Sequence, residues 1–347
     1  MSVDTQSVIS DEQGERSQNN KYSRRNTERQ QQIDIDSIIS SNKATIRDIL
    51  NHFNTQQDTS LLQGTLSFCN SKFTSFILGN LSEEYTASKE LTLSEGGILV
   101  NDRNDTPSNS LGNIVDRVWI EIHHPAIKYF QNAFYQLSKP TKDAHDQGHY
   151  SGSNTKRHAN KYGKTSNNGG NETGNGNGNL FVEYRKLFEK FVKFISKAHD
   201  FYFFILKSIL NTYDLSVFIP VKKICSTLKI DLTSVSESKD ARLSLLDPGM
   251  NHLASTIIYL THKCVLFIGD LSRYRTLVAK TYLPATSISK EDNNNYSKSI
   301  ELYKLSLLIL PSLGDPYNHI AIIDNLKDDK FNVIYNFIRA SLTSSPL

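Results

Sequence analysis

Apolar residues along this chain recur at three- and four-residue spacings, the period of a helix with one face in a core. Between residues 33 and 53, Ile35, Ile38, Ile39, Ile46, Ile49, Leu50 and Phe53 keep that spacing, and Ser41 is placed to N-cap a helix over 43–53. Leu61, Leu62, Leu66, Phe73, Phe76 and Ile77 predict a second helical segment over 61–83. Residues 113–138 carry one continuous stripe of Val115, Val118, Trp119, Ile122, Ala126, Ile127, Phe130, Phe134 and Leu137. Pro125 lies inside it and predicts a kink or a split. Residues 180–213 give the longest uninterrupted helical signal. Phe181, Tyr184, Leu187, Phe188, Phe191, Phe194 and Tyr202 line one side, and Lys186, Glu189, Lys190, Lys193 and Lys197 line the other. That stripe is broad enough for two neighbours. A mixed stretch follows Pro220, and then another long helix over about 250–280. No segment alternates with the two-residue period of a half-buried strand. The expected fold is all-α, made of long antiparallel helix pairs.

Polar and low-complexity stretches punctuate this pattern. Residues 1–30 hold too little apolar surface to offset the entropy of ordering and are expected to be a disordered tail. Its basic cluster, Lys21 to Arg29, is read as a solvated tail or as a nucleic-acid contact or nuclear address. One helical domain then spans 31–347. It is interrupted by a long loop at 84–112, with its GG, DRND and Pro signals, and by a Gly/Asn-rich insertion at 139–179. The low overall hydrophobic share, 38%, reflects these segments. A net charge of +3 argues against a surface devoted throughout to nucleic acid and leaves room for a local basic patch. The three cysteines, Cys69, Cys225 and Cys264, are too widely spaced for a metal knuckle or a disulfide framework. With no apolar core in the first twenty residues and no unbroken apolar run of about 18 residues, the expectation is a soluble intracellular protein without a membrane span.

The end of the chain carries a repeat. In SKSIELYKLSLLILP (297–311), the small residues Ser299 and Ser306 flank Tyr303, and Pro311 ends the helix. This is the pattern of the second helix of a tetratricopeptide unit, where small positions let helices approach and a large one fills the gap. The next unit ends similarly, with Ile338, Ser341 and Pro346, and the two prolines lie 35 positions apart. Such units bury their faces only by stacking into a superhelix.

Three blocks in this region resemble one family. They are the GDLSRYR helix (Gly269–Arg275), the PSLGDPYNHIA turn (Pro311–Ala321) and the final YNFIRA helix (Tyr335–Ala340). Together with the helices at 117–134 and 183–206, they are similar to the Ever-Shorter-Telomeres telomerase subunits and the Smg adaptors of nonsense-mediated decay, over about 113–347. The resemblance implies a 14-3-3-like helical arrangement built with tetratricopeptide repeats. It implies an adaptor role with telomerase RNA or telomeric single-stranded DNA, with telomerase or telomere-end proteins, or with a phosphorylated decay factor, in the nucleus and also the cytoplasm. Members usually continue into a second helical region, so the chain reads as a short paralogue or an incomplete product. The matching Arg, Arg273, is implied to line a phosphate pocket. The second, lysine position of that pocket holds His124, with Lys128 one turn later as a substitute.

On the residues alone, Arg273 with Lys280 two turns on suits phosphate, because a guanidinium fork matches its oxygens. The alternative is a helix–helix salt bridge with Asp270. The row Lys186, Lys190, Lys193 and Lys197 suits a nucleic-acid backbone or a solvated face. His123 and His124 also read as helix surface beside a proline kink. Gly269 is read as a packing position, Asp270 as a helix-terminal contact, and Pro316–Asn318 as a turn before a helix. There is no GK[ST] loop, GxSxG, HExxH or paired CxxC, and the insertion histidines His145, His149 and His158 lack a supporting setting. The expectation is a non-enzymatic adaptor without cofactor or metal. A telomerase-associated adaptor leads, followed by a phosphopeptide-binding decay adaptor and a generic helical scaffold.

Overall fold

A computed structural model of the chain describes residues 35–51, 56–94, 108–139, 176–232, 242–290, 292–293 and 296–343. Helix α1 covers residues 35–51. It is followed by α2 (Gln56–Ser94), α3 (Ser108–Val118), a π-helical turn (Trp119–His123), α4 (His124–Leu137) and α5 (Gly176–Thr212). Then come α6 (Val221–Leu228), α7 (Asn251–Tyr282), α8 (Ser297–Ile309), α9 (Asp315–Leu326) and α10 (Lys330–Thr343). The fold is all-α. Two strands of two residues each, β1 (Tyr213–Asp214) and β2 (Leu243–Ser244), pair in parallel and tie the end of α5 to the approach to α7. They are too short to alternate visibly, which is why the sequence pattern does not announce them.

The core is organised around α7. The apolar stripe of Leu260, Cys264, Phe267, Leu271, Tyr274 and Val278 is buried, and so are Ile257, His262, Lys263, Val265, Asp270 and Arg273 on its other sides. The helix packs chiefly against α5, α8 and α3 and also touches α2 and α4. Pro248–Tyr282 is long and apolar enough to cross a membrane, yet 78% of its apolar 18-residue stretch is buried inside the protein. Its apolarity is that of a helix surrounded by other helices. The charges within it, Lys263 and Asp270, break any unbroken apolar run.

Aromatic rings fill the space between α4, α5 and α7. Trp119 stacks on Phe267 at 4.7 Å between centroids, and Tyr202 sits 5.2 Å from Phe267. Phe130 meets Phe191 and Phe194, and Phe134 stacks on Tyr282 at 4.9 Å. Pro125 neither splits nor stops its helix. The preceding residues widen into a π turn, in which the His124 amide donates to the Trp119 carbonyl. This absorbs the missing proline donor while the helical path continues.

Several expectations are corrected. Ser41 lies within α1, where its carbonyl accepts from Thr45 Oγ1 at 2.9 Å, and so caps nothing. Residues 84–94, expected as loop, continue α2, because the Gly and Pro signals begin only beyond them. Helix α5 begins at Gly176, inside the expected insertion. The tail at 1–30, residues 95–107 and residues 140–175, with His145, His149 and His158, lie outside the described residues.

In the repeat region, Ser299, Tyr303 and Ser306 of α8 are all fully buried, as stacked repeats require. The register differs in α10, where Asn336 and Ala340 are buried while Ile338 and Ser341 face outward. Pro316 occupies the first turn of α9, where its missing N–H costs nothing.

Gly269 sets the approach of α7 to α8. A Cβ there would stand 2.7 Å from Tyr303 Cε1 and 3.3 Å from Leu302 Cβ. The Gly269→Ala substitution is therefore expected to lower stability by about 1–3 kcal/mol through overpacking, despite alanine's better helix propensity. Urea unfolding followed by circular dichroism measures it; an unchanged or raised midpoint contradicts the close approach.

Candidate functional site

The α7–α8–α9 junction holds a buried charged cluster. Asp270 sits in the middle of α7, rather than at a helix end, and is 2% exposed. Its Oδ1 accepts from Arg273 Nη2 at 3.0 Å and from Tyr303 Oη at 2.7 Å, and His319 Nδ1 lies 3.0 Å away. Arg273 Nε donates to Tyr303 Oη at 3.1 Å, and the guanidinium rests 4.3 Å above the Tyr274 ring. Burial pushes the Asp270 carboxyl up, but the facing His319, Arg273 and Tyr303 outweigh it and hold it at about 2. Burial also opposes the Arg273 charge, and Tyr303 and Asp270 again prevail, raising its pKa. The i,i+3 spacing from Asp270 to Arg273 puts both groups on one face, which α8 covers.

A second ionic junction lies two turns earlier on α7. Lys263 Nζ donates to Asp315 Oδ2 at 3.1 Å and lies 3.5 Å from Asp116 Oδ1, while Tyr259 Oη donates to Asp116 at 2.7 Å. Burial disfavours the ammonium, but Asp116, Tyr259 and Asp315 overcome it and the pKa rises. Next to it, the buried His262 ring places Nδ1 3.0 Å from the Ser306 carbonyl oxygen. α7 is thus fastened by polar bonds to α3, α8 and α9.

The residues expected to bind phosphate fall in two places. Arg273 and His124 share a neighbourhood, with the His124 ring 6.1 Å from Tyr274. His124 is half-buried, and its pKa is lowered by burial, then by Lys128, with Arg273 adding to the effect and Asp270 opposing it. Lys128 is exposed on the next turn of α4. Lys280 stands apart, 5.1 Å over the Tyr296 ring. His123, read as surface, is fully buried, with Nδ1 2.8 Å from Tyr202 Oη, and burial drives its pKa down to about 3. The lysine row of α5 is divided. Lys186 is exposed and pairs with Glu183 at 3.0 Å, Lys193 is exposed, and Lys190 and Lys197 are half-buried.

With 7% exposure, and with its Nε and one terminal nitrogen committed, Arg273 acts as a charge-balanced core group. A phosphate reaching it has to compete with Asp270. Among the described residues no group of three His, Cys, Asp or Glu side chains could hold a metal ion.

Residues 113–279 match the family described as "Telomerase activating protein Est1", and residues 299–347 match the "Est1 DNA/RNA binding domain". The chain belongs to the Est1/Smg family. The nonsense-mediated mRNA decay factor EBS1 of Saccharomyces cerevisiae is 24% identical over 319 residues, 91% of this chain and 30% of that protein. The telomere elongation protein EST1 of the same yeast is 20% identical over 260 residues, 74% of this chain and 31% of that protein. The decay factor SMG7 of Arabidopsis thaliana matches at 26% over 128 residues, 36% of this chain and 11% of that protein. The chain thus spans about a third of the length of the two yeast relatives. A solved structure described as "Crystal structure of Est1 and Cdc13" shares the fold, with a TM-score of 0.53, 19% identity and coverage of 87% of this chain and 42% of the other. The Est1/Smg helical architecture places the GDLSRYR segment at the centre of the core.

Tyr303, His319, Lys263, Asp116 and Asp315 were not legible as partners. Each lies far along the chain from the group it bonds, and only the i,i+3 pair Asp270–Arg273 was readable locally. Replacing Asp270 with Ala leaves the Arg273 charge buried without its carboxylate and is expected to cost about 3–5 kcal/mol, against about 1 kcal/mol for Tyr303→Phe. Denaturant midpoints of the two variants check this, and equal losses contradict the ionic reading.

His123 and His262 ordinarily titrate near 6.5, but burial lowers them to about 3 and about 4. As pH falls below 6.5 the unfolded chain takes up these protons first, so stability drains from about pH 6.5 down to about 4 for His262 and about 3 for His123. Asp270 adds a further loss between its ordinary 3.8 and about 2. The His123→Phe variant should show a shallower decline of unfolding midpoint from pH 7 to 4.5 than the parent; parallel profiles contradict burial of a neutral imidazole.

Proposed function

We propose that this chain is the helical platform of a non-catalytic adaptor that joins protein partners to RNA-linked machinery, working in nonsense-mediated mRNA decay in the cytoplasm and nucleus. The observation that carries the adaptor reading is α7, whose polar groups are spent on neighbouring helices, leaving the partner-binding chemistry to outer surfaces. The decay branch is supported by likeness across 91% of the chain to a protein named as a decay factor. Nucleic-acid contact is supported by the match of 299–347 to a domain described as DNA/RNA binding, and by the exposed Lys186 and Lys193 on α5.

A second reading is a telomerase-associated adaptor that binds telomerase RNA or telomeric single-stranded DNA together with telomere-end proteins. It is supported by likeness over 74% of the chain to the telomere elongation protein EST1. The commitment of Arg273 to Asp270 and Tyr303 also supports it, since that weakens a phosphopeptide pocket. If a phosphate is held here, Lys128 on the rim holds it, with His124 and Arg273 behind.

Affinity capture of the tagged chain, with RNA sequencing and mass spectrometry of what it retains, separates the readings. The decay reading predicts mRNA and decay factors. Telomerase RNA and telomere proteins, without decay factors, support the second reading and overturn the first. RNA binding should weaken steeply between low and physiological salt; a salt-independent interaction contradicts a phosphate-backbone contact.

A further inference from the structure

Phe181 was expected in the core, yet it is 47% exposed, and Val182 beside it is 46% exposed. Phe181 lines a groove of about 500 Å³ between the first half of α5 and the turn that follows α7. Phe181, Phe188, Val192, Leu283 and Pro284 make its apolar lining. Arg185 and Lys193, on α5, stand at its edge, and neither has an acidic partner among the described residues.

The far wall is built in advance. Arg275 on α7 reaches Asp292, with Nε 2.7 Å from Oδ1 and Nη2 donating to Oδ2 at 3.1 Å. Ser289 Oγ donates to the same carboxylate at 2.7 Å and accepts the Asp292 amide at 3.1 Å. Asp292 is 4% exposed. This closed circuit pins the turn against α7, so the groove does not depend on a ligand for its shape, and binding there loses little to ordering. It also neutralises Arg275 with Asp292, so the remaining formal charges are Arg185 and Lys193 against Glu189.

We propose that this groove is a docking site for an acidic linear peptide carrying one or two large apolar side chains. The apolar lining takes the anchor residues, and Arg185 and Lys193 meet flanking carboxylates. Charge complementarity selects the occupant: with Arg275 and Asp292 paired to each other, Arg185 and Lys193 outnumber Glu189, and this small positive excess suits a short acidic segment. None of the groove's residues belongs to the Asp270 cluster or to 299–347, and it shares only Lys193 with the nucleic-acid reading, which the oligouridylate arm of the test separates.

The test pans a random peptide display library on the intact chain and on the Arg185→Glu/Lys193→Glu double variant. A Phe188→Ser variant and a fluorescent oligouridylate are run in parallel. Circular dichroism melting confirms that the variants fold, which is expected because both cations lie on the exterior. Enrichment of acid-flanked apolar peptides is expected, with binding reduced roughly tenfold or more by the double reversal and also weakened by Phe188→Ser. Enrichment of neutral or basic peptides, absence of enrichment, or peptide binding indifferent to the double variant overturns the proposal. Oligouridylate binding abolished by the same substitutions, without peptide binding, assigns the groove to nucleic acid and overturns it as well.

Discussion

Burying a charge inside a protein costs several kcal/mol unless a partner meets it with good geometry. α7 carries Lys263, Asp270 and Arg273 into the interior and so places that condition on everything around it. Asp270 and Arg273 pair with each other on α7, and the other contacts come from three surrounding helices: Asp116 on α3, Tyr303 on α8, Asp315 and His319 on α9. Apolar packing alone tolerates many arrangements of neighbouring helices. The buried ionic contacts select the arrangement in which every charge is matched, and they do so at the junction between the N-terminal bundle and the repeat-like C-terminal helices.

That constraint bears directly on function. A helix whose polar atoms are spent on internal bonds offers none to a substrate, and its neighbours are held in fixed relation. The outward faces of α4, α5 and α10, where Lys128, Lys193 and Phe331 are exposed, are what remains open to partners. In the Est1/Smg family the same segment, GDLSRYR, is where a resemblance-based reading places a phosphate-gripping arginine. In this chain the geometry gives that arginine an internal carboxylate and a phenol, and leaves the exposed cation on α4 at Lys128.

The amphipathic stripes were legible because helical periodicity needs only local spacing. Trp119, Phe130, Phe134 and Phe191 were expected in the core and are there. The small–large–small pattern around Tyr303 likewise foretold a tightly approached helix, and Gly269 is the complementary surface. What escaped is what depends on a third helix. The off-stripe side of α7 would face solvent in a simple helix pair, and only the position of α8 reveals that Arg273 is covered. The same logic runs in reverse for Phe181, an apolar residue in register with a core stripe but opposite no helix, and therefore exposed beside a groove. The extent of α2 beyond residue 84 was hidden by loop signals that start twelve residues later, at Gly96.

Native-state hydrogen exchange resolved along the chain tests the central role of α7 most directly. If the buried charges of α7 hold the surrounding helices in place, the amides from Leu260 to Leu271 exchange only through global unfolding, and they share one opening free energy with the core-facing amides of α5 and α8. Exchange of α7 through a smaller, partial opening, while α2 and α5 stay protected, contradicts the account.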